Sequence, residues 1–279
     1  MITIKKLGFS YGNNAVLKDI SMELQEGRIY GLLGENGVGK TTLLTLLAGL
    51  KEPQAGSILV DGEKPFDRKP SFLTGVYYLP DEVPATRMSA NAFAADRGQF
   101  WVNFDLDKFR EIMDVLENDG NMRMDQMSYG QLKKTYISFA LACNTRYLFM
   151  DEPTNGLDIP SKSQFRKAVS KYTSDESTLL ISTHQVRDLE AIIDPIIILD
   201  RKDVLMNASL DEITQKLYFD YSTTIDPEAL YSELIPGGCI QVTENRTGAE
   251  SKVNIEALFN AVHKHKDLIK KMFNSKNNA

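Results

Sequence analysis

The sequence predicts an α/β fold. Its main body is a mainly parallel sheet with flanking helices, joined by an N-terminal antiparallel β subdomain, a helical insertion and a small C-terminal αβ appendage. Three observations carry this. Residues 147–150 (YLFM), 179–182 (LLIS) and 196–199 (IIIL) are uninterrupted apolar runs, the pattern of parallel strands covered on both faces. A similar short run, residues 28–33 (RIYGLL), leads into a glycine-rich loop and then an apolar helical stretch. Residues 1–30 instead carry strand alternation, which fits a sheet with one covered face.

The elements follow in order. Ile2 and Ile4, then Ile20, Met22 and Leu24, mark two strands around a turn at Gly12-Asn13-Asn14. Residues 57–60 before Asp61-Gly62 read as a hairpin arm, completing a small antiparallel sheet. Tyr11 lies just before the turn, where its ring either joins the core or offers a stacking face. Residues 40–48 (KTTLLTLLA) form an apolar helix stopped by Gly49, with Pro53 soon after. Residues 76–79 (VYYL) are a short strand ended by Pro80.

From there to about residue 144 the character is helical. Phe109, Ile112, Met113 and Leu116 recur at helical spacing, and a second helix covers residues 129–143, with Leu132, Tyr136, Phe139, Ala140 and Cys143 on one face. Phe100, Trp101 and Phe104 are expected in the core of this insertion. The three apolar strands follow. Beyond them, residues 218–221 and 239–243 read as strands, separated by Pro227 and a Pro236-Gly237-Gly238 turn. Ile255, Leu258, Phe259, Val262 and Ile269 mark one helical stretch. The lysines at 264, 266, 270, 271 and 276 are expected on a solvated face. His263 and His265 lack carboxylate or cysteine neighbours at ligand spacing and are expected at the surface. The expected division is a main domain over residues 1–215, with a helical subdomain inserted at 82–145, and an extension over 216–279.

Composition excludes several classes. Hydrophobic residues make up 42% and charged residues 25% of the chain, so a substantial core is affordable to a soluble fold. A net charge of -6 argues against broad nucleic-acid binding, which needs a basic face. Cys143 and Cys239 are the only cysteines and are far apart, which predicts reduced thiols in an intracellular protein. The chain starts directly on a strand pattern, with no secretory signal, and no apolar run approaches the roughly 20 residues that span a bilayer. Any membrane role is therefore expected through a partner, with no direct membrane span.

The chemistry concentrates in a few segments. Residues 34–42 (GENGVGKTT) fit G-x-x-x-x-G-K-[ST], the phosphate-binding loop, between the strand and the helix that the motif requires. Gly34, Gly37 and Gly39, with Glu35, Asn36 and Val38 between them, let backbone N–H groups approach phosphate oxygens. The helix start adds its partial positive charge there. Lys40 is expected to neutralise the β- and γ-phosphates, and Thr41 to ligate Mg²⁺, with Thr42 beside it. The strand at 147–150 delivers Asp151 and Glu152. In a phosphate-loop protein the first is placed for Mg²⁺ and the second for activating water. Asp158 (in NGLD) and His184, after the 179–182 strand, add to the polar cluster. Ser128 and Gln131, in Met127-Ser-Tyr-Gly-Gln131, form a helix-capping box, but that leaves Gly130 unexplained.

Taken together, these segments resemble the ATP-binding-cassette (ABC) transporter nucleotide-binding subunit, over roughly residues 1–215. GENGVGKTT resembles the Walker A loop, MSYGQ the LSGGQ signature, YLFMDE the Walker B strand, NGLD the D-loop and STH the switch-histidine loop. Tyr11, ahead of Val16, matches the adenine-stacking position. The resemblance implies a P-loop NTPase fold and an ATPase using ATP and Mg²⁺. It implies a homodimer or heterodimer in which each ATP lies between residues 34–42 of one chain and Ser128, Gly130 and Gln131 of another. Glu152 is then the general base, and His184 orients γ-phosphate and water. The resemblance also implies an integral membrane permease as partner, and a place on the cytoplasmic face of the membrane.

Two departures stand out. Where the family usually carries a lid-loop glutamine, this chain has Asp81 and Glu82. Asp81 is within expected reach of Mg²⁺ or water, at the cost of like-charge repulsion beside Asp151 and Glu152. Tyr129 replaces the first signature glycine. The small C-terminal appendage resembles exporter-type cassettes, so export is the expected direction. The alternative is a soluble ABC-type ATPase switch in a non-transport assembly, although the chain shows no sustained heptads and a single Walker A loop. A phosphate-loop kinase leaves MSYGQ and the histidine loop unexplained.

Overall fold

The computed structural model describes residues 1–274. The chain opens with β1 (Ile2–Tyr11) and β2 (Asn14–Leu24), then β3 (Ile29–Leu33), α1 (Lys40–Leu47) and β4 (Ala55–Val60). Next come α2 (Pro70–Gly75), β5 (Val76–Leu79), α3 (Ala90–Gly98), α4 (Leu106–Val115) and α5 (Tyr129–Ala142). They are followed by β6 (Tyr147–Asp151), α6 (Ile159–Tyr172), β7 (Thr178–Thr183), β8 (Ile196–Asp200) and β9 (Asp203–Ala208). The remainder is α7 (Leu210–Lys216), β10 (Leu217–Ser222), β11 (Tyr231–Ile235), β12 (Gly238–Glu244), α8 (Ile255–Lys264) and α9 (Lys266–Asn274).

The main sheet has six strands in the order β5-β6-β7-β3-β8-β9, all pairs parallel except β8–β9. It divides the interior into two apolar cores, and this explains the uninterrupted runs. In β6, Tyr147 and Phe149 face one core while Leu148 and Met150 face the other. In β8, Ile197 and Leu199 alternate with Ile196 and Ile198 in the same way. Side chains alternate across a strand, so every position must be apolar when both faces are covered.

One core is closed by α1 and the antiparallel sheet β2-β1-β4. The other is closed by the helical insertion and extends into the C-terminal elements. Each insertion helix begins at a side-chain cap. Ser89 accepts from Ala92 N, Asp105 from Asp107 N and Lys108 N, and Ser128 from Gln131 N. These satisfy N–H groups that lack helical partners.

The α/β architecture with its antiparallel N-terminal sheet is the expected one, with local corrections. Phe100 is 60% exposed, not core, because it lies past the end of α3 on the rim of a groove. Trp101 and Phe104 are half-buried against the core. β9 and the edge strand β11 have no strong alternation in the sequence and were not anticipated. The single C-terminal helical stretch is two helices, broken at His265.

The last helix folds back on β9: Lys266 pairs with Asp200, and Lys270 with Asp203. The expected solvated lysine face is thus partly engaged, and Lys276 lies outside the described residues. His263 is half-buried, its Nδ1 2.9 Å from Phe259 O and its Nε2 3.7 Å from Asp200. His265 is half-buried as well. Packing of α9 against the sheet edge draws both in from the surface. Cys143 and Cys239 are buried and unpaired. Among the described residues, no helix is long and apolar enough to cross a membrane.

Candidate nucleotide site

The parallel strands bring four loops to one edge of the sheet, the carboxyl edge where ligands of such sheets bind. β3 delivers residues 34–42, β6 delivers Asp151 and Glu152, β7 delivers His184, and β5 delivers Asp81. A cavity of about 380 Å³ opens there, lined in part by Asn36, Gly37, Gly39, Thr42, Tyr11 and Val16. Lys40, Thr41, Asp81, Asp151 and Glu152 complete its polar wall.

The loop's shape is set by glycine. Gly39, with φ 113, stands at the start of α1, where a Cβ would meet Val16 Cγ1 at 2.9 Å. Any larger residue is excluded by backbone conformation and by space. Lys40 is 6% exposed; its Nζ donates to Gly34 O (2.7 Å) and Glu35 O (3.2 Å) and lies 3.5 Å from Glu152 Oε1. Glu35 contributes its carbonyl, and its side chain is exposed. Val38 is buried in the core beside α1.

Thr41 Oγ1 donates to Asp151 Oδ2 at 2.6 Å, and Ser182 Oγ donates to Asp151 Oδ1. Tyr78 OH donates to Asp151 Oδ2 at 3.5 Å. Burial, then the neighbouring Asp151 charge, pushes the Tyr78 phenol well above its ordinary value, which keeps it a donor. Ser182 and Tyr78 were not picked out from the sequence. Strand register brings Ser182 there: it pairs with Asp151 across β6–β7, which no local stretch of sequence signals.

Glu152 occupies the left-handed region at φ 45, a strained conformation for this side chain. Its N–H donates to Ser182 Oγ (3.0 Å). Its carboxylate meets His184 twice: Nδ1 lies 3.0 Å from Oε1, and the His184 N–H donates to Oε2 at 3.3 Å. Lys40, Glu152 and His184 therefore form one connected line. Tyr11 is 49% exposed at the cavity's rim, its OH 3.4 Å from Thr42 Oγ1, so it belongs to the site and not to the core.

Other expected residues stand apart. Ser128 and Gln131 form the capping box of α5, with Gly130 between them, and none of the three lines the cavity. Asp158 is exposed, caps α6 by accepting from Ser161 N (2.9 Å), and also lies outside the cavity. Asp81 does line it, but its carboxylate is engaged by Asn155 Nδ2 (3.2 Å) and Lys133 Nζ (3.4 Å) rather than by Thr41 or Asp151. Tyr129, the departure in the signature segment, lays its ring over Gly156, where a Cβ would come within 2.4 Å. Its OH donates to Asp81 O at 3.0 Å.

A buried lysine in a glycine loop, facing paired carboxylates across a sheet edge, makes the chain a nucleotide-binding ATPase of the phosphate-loop class. It belongs to the ABC transporter family, and the family's model matches residues 17–155. It is 30% identical over 223 residues to an uncharacterised ABC transporter ATP-binding protein, YxlF, of Bacillus subtilis, covering 77% of this chain and 73% of the relative. The lantibiotic transport ATP-binding protein SrtF of Streptococcus pyogenes is 29% identical over 199 residues, or 70% of this chain and 84% of that one. Among solved structures, the dimeric bacterial ABC transporter cassette MJ0796 matches with a TM-score of 0.67 at 22% identity, covering 75% of this chain and 99% of that one. The chain is accordingly an ATP-binding subunit of the ABC transporter class.

Proposed function

We propose that this subunit powers a separate membrane permease through ATP-driven closure of two cassettes, in the direction of export. The observation that carries the reading is the division of the predicted site. Lys40, Thr41, Asp151, Glu152 and Tyr11 share one cavity, while Ser128, Gly130 and Gln131 lie outside it on the exposed start of α5. A second chain supplying its own α5 start would complete the site.

In this reading Tyr11 stacks on the adenine beside Val16. The backbone of Gly34, Glu35, Asn36, Gly37, Val38 and Gly39 cradles the phosphates, and Lys40 neutralises them. The hydroxyl of Thr41 and the carboxylate of Asp151 form an all-oxygen donor pair that suits Mg²⁺, an ion that retains water and binds through one or two protein groups plus phosphate. When bound, that ion offsets charge on the phosphates. Glu152 takes the proton from the attacking water, and His184 holds the Glu152 carboxylate in line. The partner's Ser128 and α5 start meet the γ-phosphate, with Asp158 beside the junction. Closure is then a two-state change biased by one ligand.

Support for a permease partner comes from an apolar groove of about 470 Å³ between α2, β5 and the insertion, lined in part by Leu50, Leu73, Tyr77, Phe100 and Trp101. Leu50 is 50% and Phe100 60% exposed, and exposed apolar surface of this kind marks interaction sites. Purification of the tagged chain from detergent-solubilised membranes is expected to recover a multi-span protein, and Phe100→Glu to reduce that recovery. Recovery from the soluble fraction alone would instead favour a switch in a non-transport assembly. Tyr11→Ala is expected to weaken ATP binding by about 5- to 100-fold, the range for loss of one base-stacking platform, as read by titration with ATP.

A further inference from the structure

We propose that Lys133 is the counter-charge that makes an acidic lid compatible with an anionic nucleotide, and so acts as a positioning residue for Asp81. The inference rests on the reading that ATP occupies the cavity at residues 34–42. Lys133 is fully buried, with no exposed side-chain surface. A buried ammonium is costly unless it is paired and hydrogen-bonded. Here it is both: Nζ donates to Pro80 O (3.3 Å) and Asp81 O (2.5 Å) and lies 3.4 Å from Asp81 Oδ1. All three partners belong to the lid loop after β5, whereas Lys133 sits one turn into α5.

The charge balance gives the pairing its purpose. The cavity wall holds three carboxylates, Asp81, Asp151 and Glu152, against the single cation Lys40. A polyphosphate entering that wall meets like charge, and an unneutralised Asp81 would add to it. Lys133 stands behind Asp81, outside the cavity lining, and reduces that contribution without touching the ligand. Burial draws the Lys133 ammonium below its ordinary value, while Asp81, Asp151 and Glu152 act in the opposite sense. Asn155 fixes the same carboxylate from the other side, and Tyr129 holds the Asp81 carbonyl. Lid, α5 start and the 154–158 loop are joined at one side chain.

A double-mutant cycle on the full chain tests this, with the Kd for Mg-ATP measured by equilibrium dialysis. Lys133→Met is expected to weaken binding about tenfold with Asp81 present and by no more than about twofold in the Asp81→Asn background. Lost packing or lost bonds to the lid carbonyls would act alike in both backgrounds, so equal effects would overturn the proposal. Should Lys133→Met not fold, the same cycle with Lys133→Gln decides: a loss that is larger with Asp81 present than in the Asp81→Asn background is expected, and equal losses in both would overturn it. Lys40→Ala, measured alongside, separates the two failures. Undiminished binding in Lys40→Ala removes the nucleotide from this cavity altogether, whereas a failed cycle with weakened Lys40→Ala removes Lys133 only.

Discussion

Glu152→Gln is expected to lower ATP turnover by about 10²- to 10⁴-fold, the range for loss of a general base, while ATP binding is retained. The substitution keeps size and hydrogen-bonding capacity but removes the proton acceptor. Glu152 is 9% exposed and held by the His184 ring and N–H, by Lys40 and by its own N–H on Ser182. Its backbone at φ 45 is fixed by these contacts, and glutamine is compatible with most of them. Binding depends on the loop and on Lys40, which the change does not remove. Steady-state phosphate release and ATP titration read the two effects separately. Unchanged turnover would remove Glu152 from the chemistry.

Lys40→Ala is expected to weaken ATP binding by about 10- to 100-fold, corresponding to a lost charge-assisted hydrogen bond of about 1.5–3 kcal/mol. Among the residues lining the cavity, Lys40 is the one cation facing Asp81, Asp151 and Glu152. Its removal takes away the attraction for phosphate and leaves Glu152 without its cation, so both changes act in the same direction. The carbonyls of Gly34 and Glu35 also lose their donor. Calorimetric titration with Mg-ATP, with folding checked by circular dichroism, measures the loss. Wild-type affinity in a folded Lys40→Ala protein would contradict the phosphate-loop assignment.

The parts of this molecule governed by local rules were legible in the sequence. Uninterrupted apolar runs became strands shared between two cores, glycine spacing became the loop before α1, and Ser128 with Gln131 became a capping box. The Asp151–Ser182 pairing was hidden, because register between β6 and β7 is a long-range property that no local window contains. Lys133 was hidden for a related reason: in the run Gln131-Leu-Lys-Lys-Thr135 nothing local separates it from Lys134, and only the return of the 80–81 loop buries and pairs it. Phe100 misled in the opposite sense. An aromatic beside Trp101 reads as core, yet the chain turns after α3 and leaves its ring at the groove. β9 was obscured by its weak alternation, and the docking of α9 because its ion pairs, to Asp200 and Asp203, join positions far apart in the chain.

ATP on residues 34–42 of one chain is expected to close against the α5 start of another. Light scattering of Glu152→Gln with and without Mg-ATP tests it most directly, because blocked hydrolysis should preserve the closed state. The mass of a single chain, 31.4 kDa, is expected without nucleotide and twice that mass with it. Ser128→Arg in the same background is expected to abolish the shift while ATP still binds. A chain that binds ATP stoichiometrically and remains at the single-chain mass at every protein concentration would contradict it.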